Sequence, residues 1–386
     1  MRFLVDARLL TGPRPSGVGE YAARVLHALF SLDNGDEYIL LTTGRTRLPP
    51  ERLGTLPPHV RHVHVGAPNR LLTAALAAGY PLERLAEGHG PFDAAFLPNI
   101  TVGRPRALPY VLTVHDLSWD AHPAFYSCKM QAWHALARPE RLIRNAAAVL
   151  TPSRHARQEL LARFPGVDAA RVEAVPHGID AAFAPRRVPS DSGVRSSYRL
   201  PKRFALFMGT VEPRKNLHAA IDAVEAYRQE TGDDLGLVVA GGYGWRANDV
   251  ERRLADPRRR AWIRRLGYVD AAHRPALYRL ASVCVLPSFH EGFGLPVLEA
   301  MACGTPVIAS DAAALPEVAG NAAVLVNPYD PGEIVSALRE ILGPSGLADD
   351  LRRAGVERAA GFSWTTAAER VRNQLRNAAS KGTAGA

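Results

Sequence analysis

Residues 283–304 read VCVLPSFHEGFGLPVLEAMACG. VCVLPS is a short apolar run closed by Pro287 and Ser288, the pattern of a buried strand at its end. PVLEAMACG has Pro296 where a first helical turn tolerates it and apolar residues at helical spacing. HEGFGL is therefore a strand-to-helix loop. The same alternation extends along the chain in both directions. FALFMGTV (204–211), LGLVVAGG (235–242), IRRLGYVD (263–270), TPVIAS (305–310) and AAVLVNP (322–328) read as strands, and HAAIDAVEAYRQE (218–230), HRPALYRLAS (273–282) and EIVSALREIL (333–342) as helices. Upstream, RFLVDARLL (2–10), EYILLTT (37–43), FDAAFLP (92–98), YVLTVHD (110–116), AAAVLTPS (146–153) and RVEAVPHGID (171–180) are strands. GEYAARVLHALFSL (19–32), LTAALAAGYPLERLAE (72–87), WHALARPERLIRNA (133–146) and SRHARQELLAR (153–163) are helices between them.

Strand and helix alternating in this way predict parallel sheets covered on both faces. The series pauses at APRRVPSDSGVRSSYRLPKR (184–203), rich in Pro, Ser and Arg and without apolar period, which reads as a linker and hinge. The expected organisation is two Rossmann-like α/β domains, 1–190 and 191–361, followed by a last segment, 362–386. That segment holds the helix SWTTAAERVRNQLRNAAS (363–380) and a disordered tail, ASKGTAGA. In open α/β sheets of this kind, ligands bind at the carboxyl ends of the strands.

Composition narrows the class. The chain has 386 residues, more than one typical core accommodates, and its 47% apolar and 22% charged residues are those of a soluble globular protein. Cys128, Cys284 and Cys303 show no metal-type spacing, which argues against zinc and for a reducing, cytoplasmic setting. Asp6 and Arg8 interrupt the first apolar run, so no secretory leader is expected, and no apolar stretch is long enough to span a membrane. Lys and Arg exceed Asp and Glu to give a net charge of +9, which fits an anionic ligand or surface and equally fits plain solubility.

Within the loop, Glu291 and Glu299 stand eight residues apart around two glycines, Gly292 and Gly294. A helix amino terminus presents unpaired N–H groups to anions, and glycines let the backbone come close to a ligand. A diphosphate suits the centre of such a loop, and sugar hydroxyls suit carboxylates on either side. The same two acids also fit a solvated residue and a helix-start residue favoured by the dipole. In GTVEPRKN (209–216), Arg214 and Lys215 fall between a strand and a helix, where two cations suit a diphosphate leaving group or simply solvent. His115 ends a strand of the first half, placed to donate to a sugar hydroxyl or to cap the strand end. Asp116 beside it reads as a turn acid. GVGEYA (17–22) partly imitates a dinucleotide fingerprint, but TGPRPS (11–16) separates it from the strand, and no acid closes a second strand at the required distance.

EGFGLPVLEAMACGTPVIASDAAALPEVAGNAAVLVNPYD (291–330) resembles retaining glycosyltransferases of the GT-B fold, family 4. SGVGEYAARVL (16–26), VHDLSW (114–119), VPHGID (175–180) and GTVEPRKN match other segments of that family in the expected order, most closely the branch with bacterial polysaccharide mannosyltransferases. The resemblance implies transfer of a hexose, first of all mannose from GDP-mannose, with retention, to a saccharide or lipid-linked acceptor. It implies His115 and Glu291 as catalytic residues. It implies Gly17, Gly19, Arg214, Lys215, Gly292, Phe293, Gly294, Leu295 and Glu299 as donor-binding residues, with Glu299 on the ribose. Thr210 stands where many members carry an arginine, and the arginine role shifts to Arg214. The resemblance also implies that the last helix returns to the amino-terminal domain, anchored at Trp364, and that the halves close on the donor. A nucleotide-sugar epimerase on the same scaffold and a non-catalytic sugar-nucleotide-binding subunit are the alternatives.

No D-x-D pattern occurs, so neither a metal nor a cofactor is expected, and Arg214 and Lys215 must supply the counter-charge. Two basic stretches remain. Arg138, Arg141 and Arg144 lie at helical spacing on a helix with Trp133 and suit an anionic membrane, making the protein peripheral at the inner face, or plain solvent. Arg258, Arg259, Arg260, Arg264 and Arg265 read as surface. No nucleic-acid reader motif accompanies either run.

Overall fold

The computed structural model describes every residue except 13–15, 33–34, 246–247 and 384–386. It divides the chain into two compact units. The amino-terminal unit holds residues 1–117, 128–178 and 363–386, and the carboxyl-terminal unit 118–127 and 179–362.

The first unit is a seven-stranded sheet in the order β3-β2-β1-β4-β5-β6-β7. Its strands are β1 (Arg2–Asp6), β2 (Glu37–Thr43), β3 (Val60–Val65), β4 (Ala94–Leu97), β5 (Tyr110–Thr113), β6 (Ala148–Thr151) and β7 (Val172–Ala174). Every pair is parallel. The crossovers use α1 (Gly17–Phe30), α2 (Asn69–Ala77), α4 (Cys128–Ala137), α5 (Pro139–Asn145) and α6 (Arg154–Arg163). A short α3 (Ser118–Ala121) belongs to the second unit.

The second unit carries α7 (Ser190–Tyr198) and a six-stranded parallel sheet in the order β10-β9-β8-β11-β12-β13. These strands are β8 (Phe204–Met208), β9 (Gly236–Ala240), β10 (Ile263–Gly267), β11 (Val283–Leu286), β12 (Val307–Ser310) and β13 (Val324–Val326). Between and after them run α8 (Leu217–Thr231), α9 (Asn248–Ala255), α10 (Arg274–Leu280), α11 (Leu295–Ala302), α12 (Leu315–Ala319), α13 (Pro331–Leu342) and α14 (Leu347–Ala360). The strand period of two sorts its core. Leu206, Met208, Val238, Cys284 and Leu286 pack on one face of the sheet, and Ala205, Phe207, Val239, Val283 and Val285 on the other. In each sheet the order reverses between two neighbours, β1/β4 and β8/β11, and these are the switch points where a doubly wound fold leaves a crevice.

The last helix, α15 (Trp364–Thr383), packs on the first unit. It buries Ala367, Ala368, Val371, Leu375, Ala378 and Ala379 with Phe3, Val25 and Leu26. Full burial of Val371 and Leu375 stabilises by about 1.5–3 kcal/mol each. The chain leaves the first unit at Gly178 and re-enters it at Ser363. The two passages touch, because a Cβ on Gly178 would overlap the backbone nitrogen of Trp364.

The departures from the sequence reading include the following. The strand β3 was not anticipated. It is the sheet edge, and Arg61, His62 and His64 interrupt its apolar residues. Segment 184–203 is not a free linker, since α7 folds onto the second unit through Val194 and the Asp191–Arg279 ion pair at 2.6 Å. The basic helix 133–146 is two helices, broken where Arg138 takes the left-handed conformation (φ 50°) ahead of Pro139. In the tail, α15 continues to Thr383, and residues 384–386 lie outside the described residues.

Candidate active site

β11 ends at Leu286, and residues 287–294 lead into α11. Gly294 caps the helix with φ 109°, and a Cβ there would overlap Leu315, so only glycine fits. This sharp entry turns Glu291 back towards the loop after β8, the other strand of the switch point. There the Arg214 Nη1 donates to Glu291 Oε2 at 2.8 Å and to the His290 carbonyl at 2.6 Å. Lys215 Nζ pairs with the other carboxylate oxygen, Oε1. Arg214 Nη2 also donates to Glu212 at 2.7 Å. Two acids and two bases thus form one buried network, with Glu291 6% and Lys215 7% exposed.

Burial alone would raise the Glu291 pKa, but Arg214 and Lys215 outweigh it and bring it down to about 2. Glu212 moves the other way: burial raises it despite Arg214 and Lys215, and the Glu291 charge adds to the rise. In this state Glu291 and Glu212 together already pair with the two cations expected to meet a diphosphate.

Glu299 was expected in the first turn of the helix. It is the fifth residue of α11, in the second turn, and is 5% exposed. Tyr278 Oη donates to it at 2.7 Å and Arg274 approaches to 3.6 Å. Burial, and then the Glu299 charge, hold Tyr278 protonated by raising its pKa well above the usual phenol range. Phe293 is buried against Phe362, so its side chain serves the core, while Leu295 is half-buried and Gly292 buried.

The first unit gathers a different set at the carboxyl edge of its sheet. His115 follows β5, and its Nε2 donates to the Pro98 carbonyl, which follows β4, at 3.0 Å. A carbonyl only accepts, so the proton is on Nε2 and the neutral ring presents Nδ1 as an acceptor. Burial lowers the His115 pKa against the pull of that bond and of Asp116. The expected role of His115 as a donor to a sugar hydroxyl is therefore reversed for the neutral ring: the hydroxyl would donate. Tyr21 packs edge-on to His115 with ring centroids 4.6 Å apart, and against His177 also at 4.6 Å. Trp364 stacks on His177 at 5.7 Å. Burial, then His115, push the His177 pKa well down. Ser16 caps α1 by accepting from the Gly19 N–H at 3.2 Å, and among the described residues nothing lies within 4 Å of a Cβ built on Gly17. Residues 13–15 of the preceding loop lie outside the described residues.

Sequence reasoning missed Glu212, Tyr21, His177, Tyr278 and Arg274. Glu212, Tyr21 and His177 lay inside quoted motifs; only Glu212, two residues before Arg214, had a local signal, because the contact of Tyr21 and His177 with His115 is tertiary. Tyr278 and Arg274 sit on α10 with nothing local to mark them.

Residues 15–183 match the family described as Glycosyltransferase Family 4, and residues 202–343 match Glycosyl transferases group 1. The O-antigen chain mannosyltransferase B of Escherichia coli is 32% identical over 255 residues, 66% of this chain and 66% of its own length. A D-inositol 3-phosphate glycosyltransferase of Salinispora arenicola (strain CNS-205) is 31% identical over 245 residues, 58% of this chain and 53% of its own. The chain thus spans at most about two thirds of these relatives. Sucrose-phosphate synthase from Thermosynechococcus elongatus superposes with a TM-score of 0.72 over 98% of both chains at 20% identity, which shows a shared GT-B fold.

Proposed function

Because the chain belongs to glycosyltransferase family 4, we propose that it moves a hexose from a nucleotide-sugar to a saccharide or lipid-linked glycan, with retention and without a metal ion. Mannose from GDP-mannose is the first choice of donor, supported by the likeness to the O-antigen mannosyltransferase. The observation that carries the reading is the Glu291–Arg214–Lys215 network at the β8/β11 switch point. A diphosphate arriving there takes over Arg214 and Lys215, and Glu291, displaced from them, turns to the sugar hydroxyls. Glu299 takes the ribose. As the glycosidic bond breaks, the two cations stabilise the charge gathering on the departing diphosphate. The first unit supplies His115, whose Nδ1 accepts from a sugar hydroxyl, and the acceptor contacts. Gly17 and Gly19 belong to the donor phosphates at the start of α1.

Among the described residues no helix is long and apolar enough to cross a membrane. The finer part of the proposal places the enzyme in the cytoplasm, peripheral to an anionic membrane.

The test is a panel of nucleotide-sugars assayed for thermal stabilisation, then for product with excess chelator present. Stabilisation by one donor class, with acceptor-dependent release of nucleoside diphosphate in chelator, is expected. Donor conversion without acceptor would mean an epimerase. Loss of turnover in chelator, restored by magnesium, would overturn the charge assignment.

A further inference from the structure

The two-helix break at Arg138 has separated the basic run into different surroundings. Arg144 pairs with Glu140 at 2.9 Å. Arg138 and Arg141 instead line a pocket of about 100 Å³, open to solvent, together with Arg104 and Arg106. These four come from two distant stretches, the β4–β5 connection and the α4–α5 junction. Among the described residues none of the four pairs with a carboxylate. The acid nearest in sequence to the wall, Glu140, is taken by Arg144, and Glu83 is engaged by the backbone N–H groups of Arg106 and Ala107 at 3.0 and 2.8 Å. Four arginines lining one pocket without a paired carboxylate suit an oxyanion with several acceptor oxygens.

The rim is apolar. Tyr80 and Leu136 both line the pocket and are 41% and 43% exposed. Trp133 lies one turn before Leu136 on α4 and is 39% exposed. Exposed basic groups beside exposed aromatic and aliphatic side chains match a lipid interface, where phosphates lie just outside the acyl region and aromatic rings favour the boundary. The pocket is also remote from the chemistry along its own strand. Its lining residue Leu142 accepts a hydrogen bond from Tyr110 at the start of β5, whereas His115 follows the other end of β5.

We propose that this pocket seats the phosphate of an anionic membrane lipid, with Tyr80, Leu136 and Trp133 meeting the lipid surface. The proposal deepens the peripheral-membrane part of the reading above and assigns it to one site.

The full chain is floated with phosphatidylcholine vesicles, with and without phosphatidylglycerol. Wild type should bind only the anionic vesicles. The double variant Arg138→Glu/Arg141→Glu should lose roughly 30-fold in partitioning, from about 1 kcal/mol per basic residue at the surface. A charge-matched control, Arg258→Glu/Arg260→Glu in the second unit, should lose far less. Thermal stabilisation by nucleoside diphosphate, unchanged in both variants, reports that they are folded and that donor binding is separate. Anionic binding that survives in the pocket variant, or falls equally in the control, overturns the site while leaving membrane contact standing. A wild type that ignores anionic vesicles but is stabilised by inorganic phosphate through Arg138 and Arg141 overturns the lipid and leaves a soluble phosphate. None of these outcomes touches glycosyl transfer, which stands or falls on product formation.

Discussion

The carboxyl edges of the two sheets solve the problem of burying polar groups in opposite ways. At the β8/β11 edge, Glu212, Lys215 and Glu291 are buried and Arg214 is half-buried, and they are matched acid against base. At the edge of the first sheet, Tyr21, His115 and His177 pack ring on ring, and burial drives both histidines towards the neutral form. A buried charge is tolerable only with a partner, so the first arrangement is held together by exchangeable ion pairs and the second needs none. The difference fits the chemistry proposed for each edge. Where an anionic diphosphate comes and goes, the protein keeps cations ready and a carboxylate to hold their place. Where a neutral hydroxyl group must be positioned, uncharged rings suffice.

The largest expected effect lies in the charged edge. Glu291→Ala leaves Lys215 buried without its carboxylate and Arg214 with Glu212 alone, and breaking such a buried pair costs about 3–5 kcal/mol. Thermal unfolding should show that loss, and saturating nucleoside diphosphate should recover much of it by supplying a substitute anion. A variant as stable as wild type would show that the network is not energetically coupled. Next comes Lys215→Ala. Steady-state kinetics in chelator should show turnover falling by about 10²–10³, on the order of 2.7–4 kcal/mol, if Lys215 stabilises the leaving group.

The third effect is acid sensitivity. Glu291 has a folded pKa of about 2, below its ordinary 4.5. Its contribution is therefore present above about pH 5 and is lost as pH falls towards 2, on the order of 3 kcal/mol in all. Glu291→Gln should flatten that limb of a stability–pH curve measured with denaturant, and an unaltered limb would assign it to other acids. The smallest effect belongs to the neutral edge. The folded pKa values of His115 and His177 lie below the ordinary 6.5, so the unfolded chain binds protons first and stability declines as pH drops below that value. The slope is at most about 1.4 kcal/mol per pH unit for each ring. His177→Phe should shallow the curve between pH 6.5 and 5, and an unchanged slope would mean that the ring is not kept neutral.

Legibility in the sequence followed how local the cause was. EYILLTT was read as β2 residue for residue because a strand buried on both faces is apolar throughout. VRHVHV escaped notice because an edge strand alternates with polar residues and resembles a loop. Nothing within SDSGVRSSY marks a helix, since α7 is fixed by Arg279, 88 residues away, holding Asp191. At the site, glycine spacing and the two glutamates located the loop. That Glu291 spends its carboxylate on residues 76 and 77 positions back is a tertiary fact. So is the depth of Glu299, which depends on Tyr278 and Arg274 rather than on its own neighbours.

The close passage at Gly178 and Trp364 bears on how the protein comes to exist on the ribosome. Nearly all of the carboxyl-terminal unit is one uninterrupted stretch, 179–362, whereas the amino-terminal unit lacks α15 until residues after 362 are made. Domains fold as they emerge, so the unit translated first is the one completed last. Until α15 arrives, the face formed by Phe3, Val25 and Leu26 has no cover, and the nascent chain carries it exposed through the synthesis of some 184 residues, 179 to 362. A stop codon anywhere before Val371 and Leu375 would thus damage the half of the molecule farthest from it in sequence, and the truncated product would be a substrate for chaperones rather than a free-standing donor-binding enzyme.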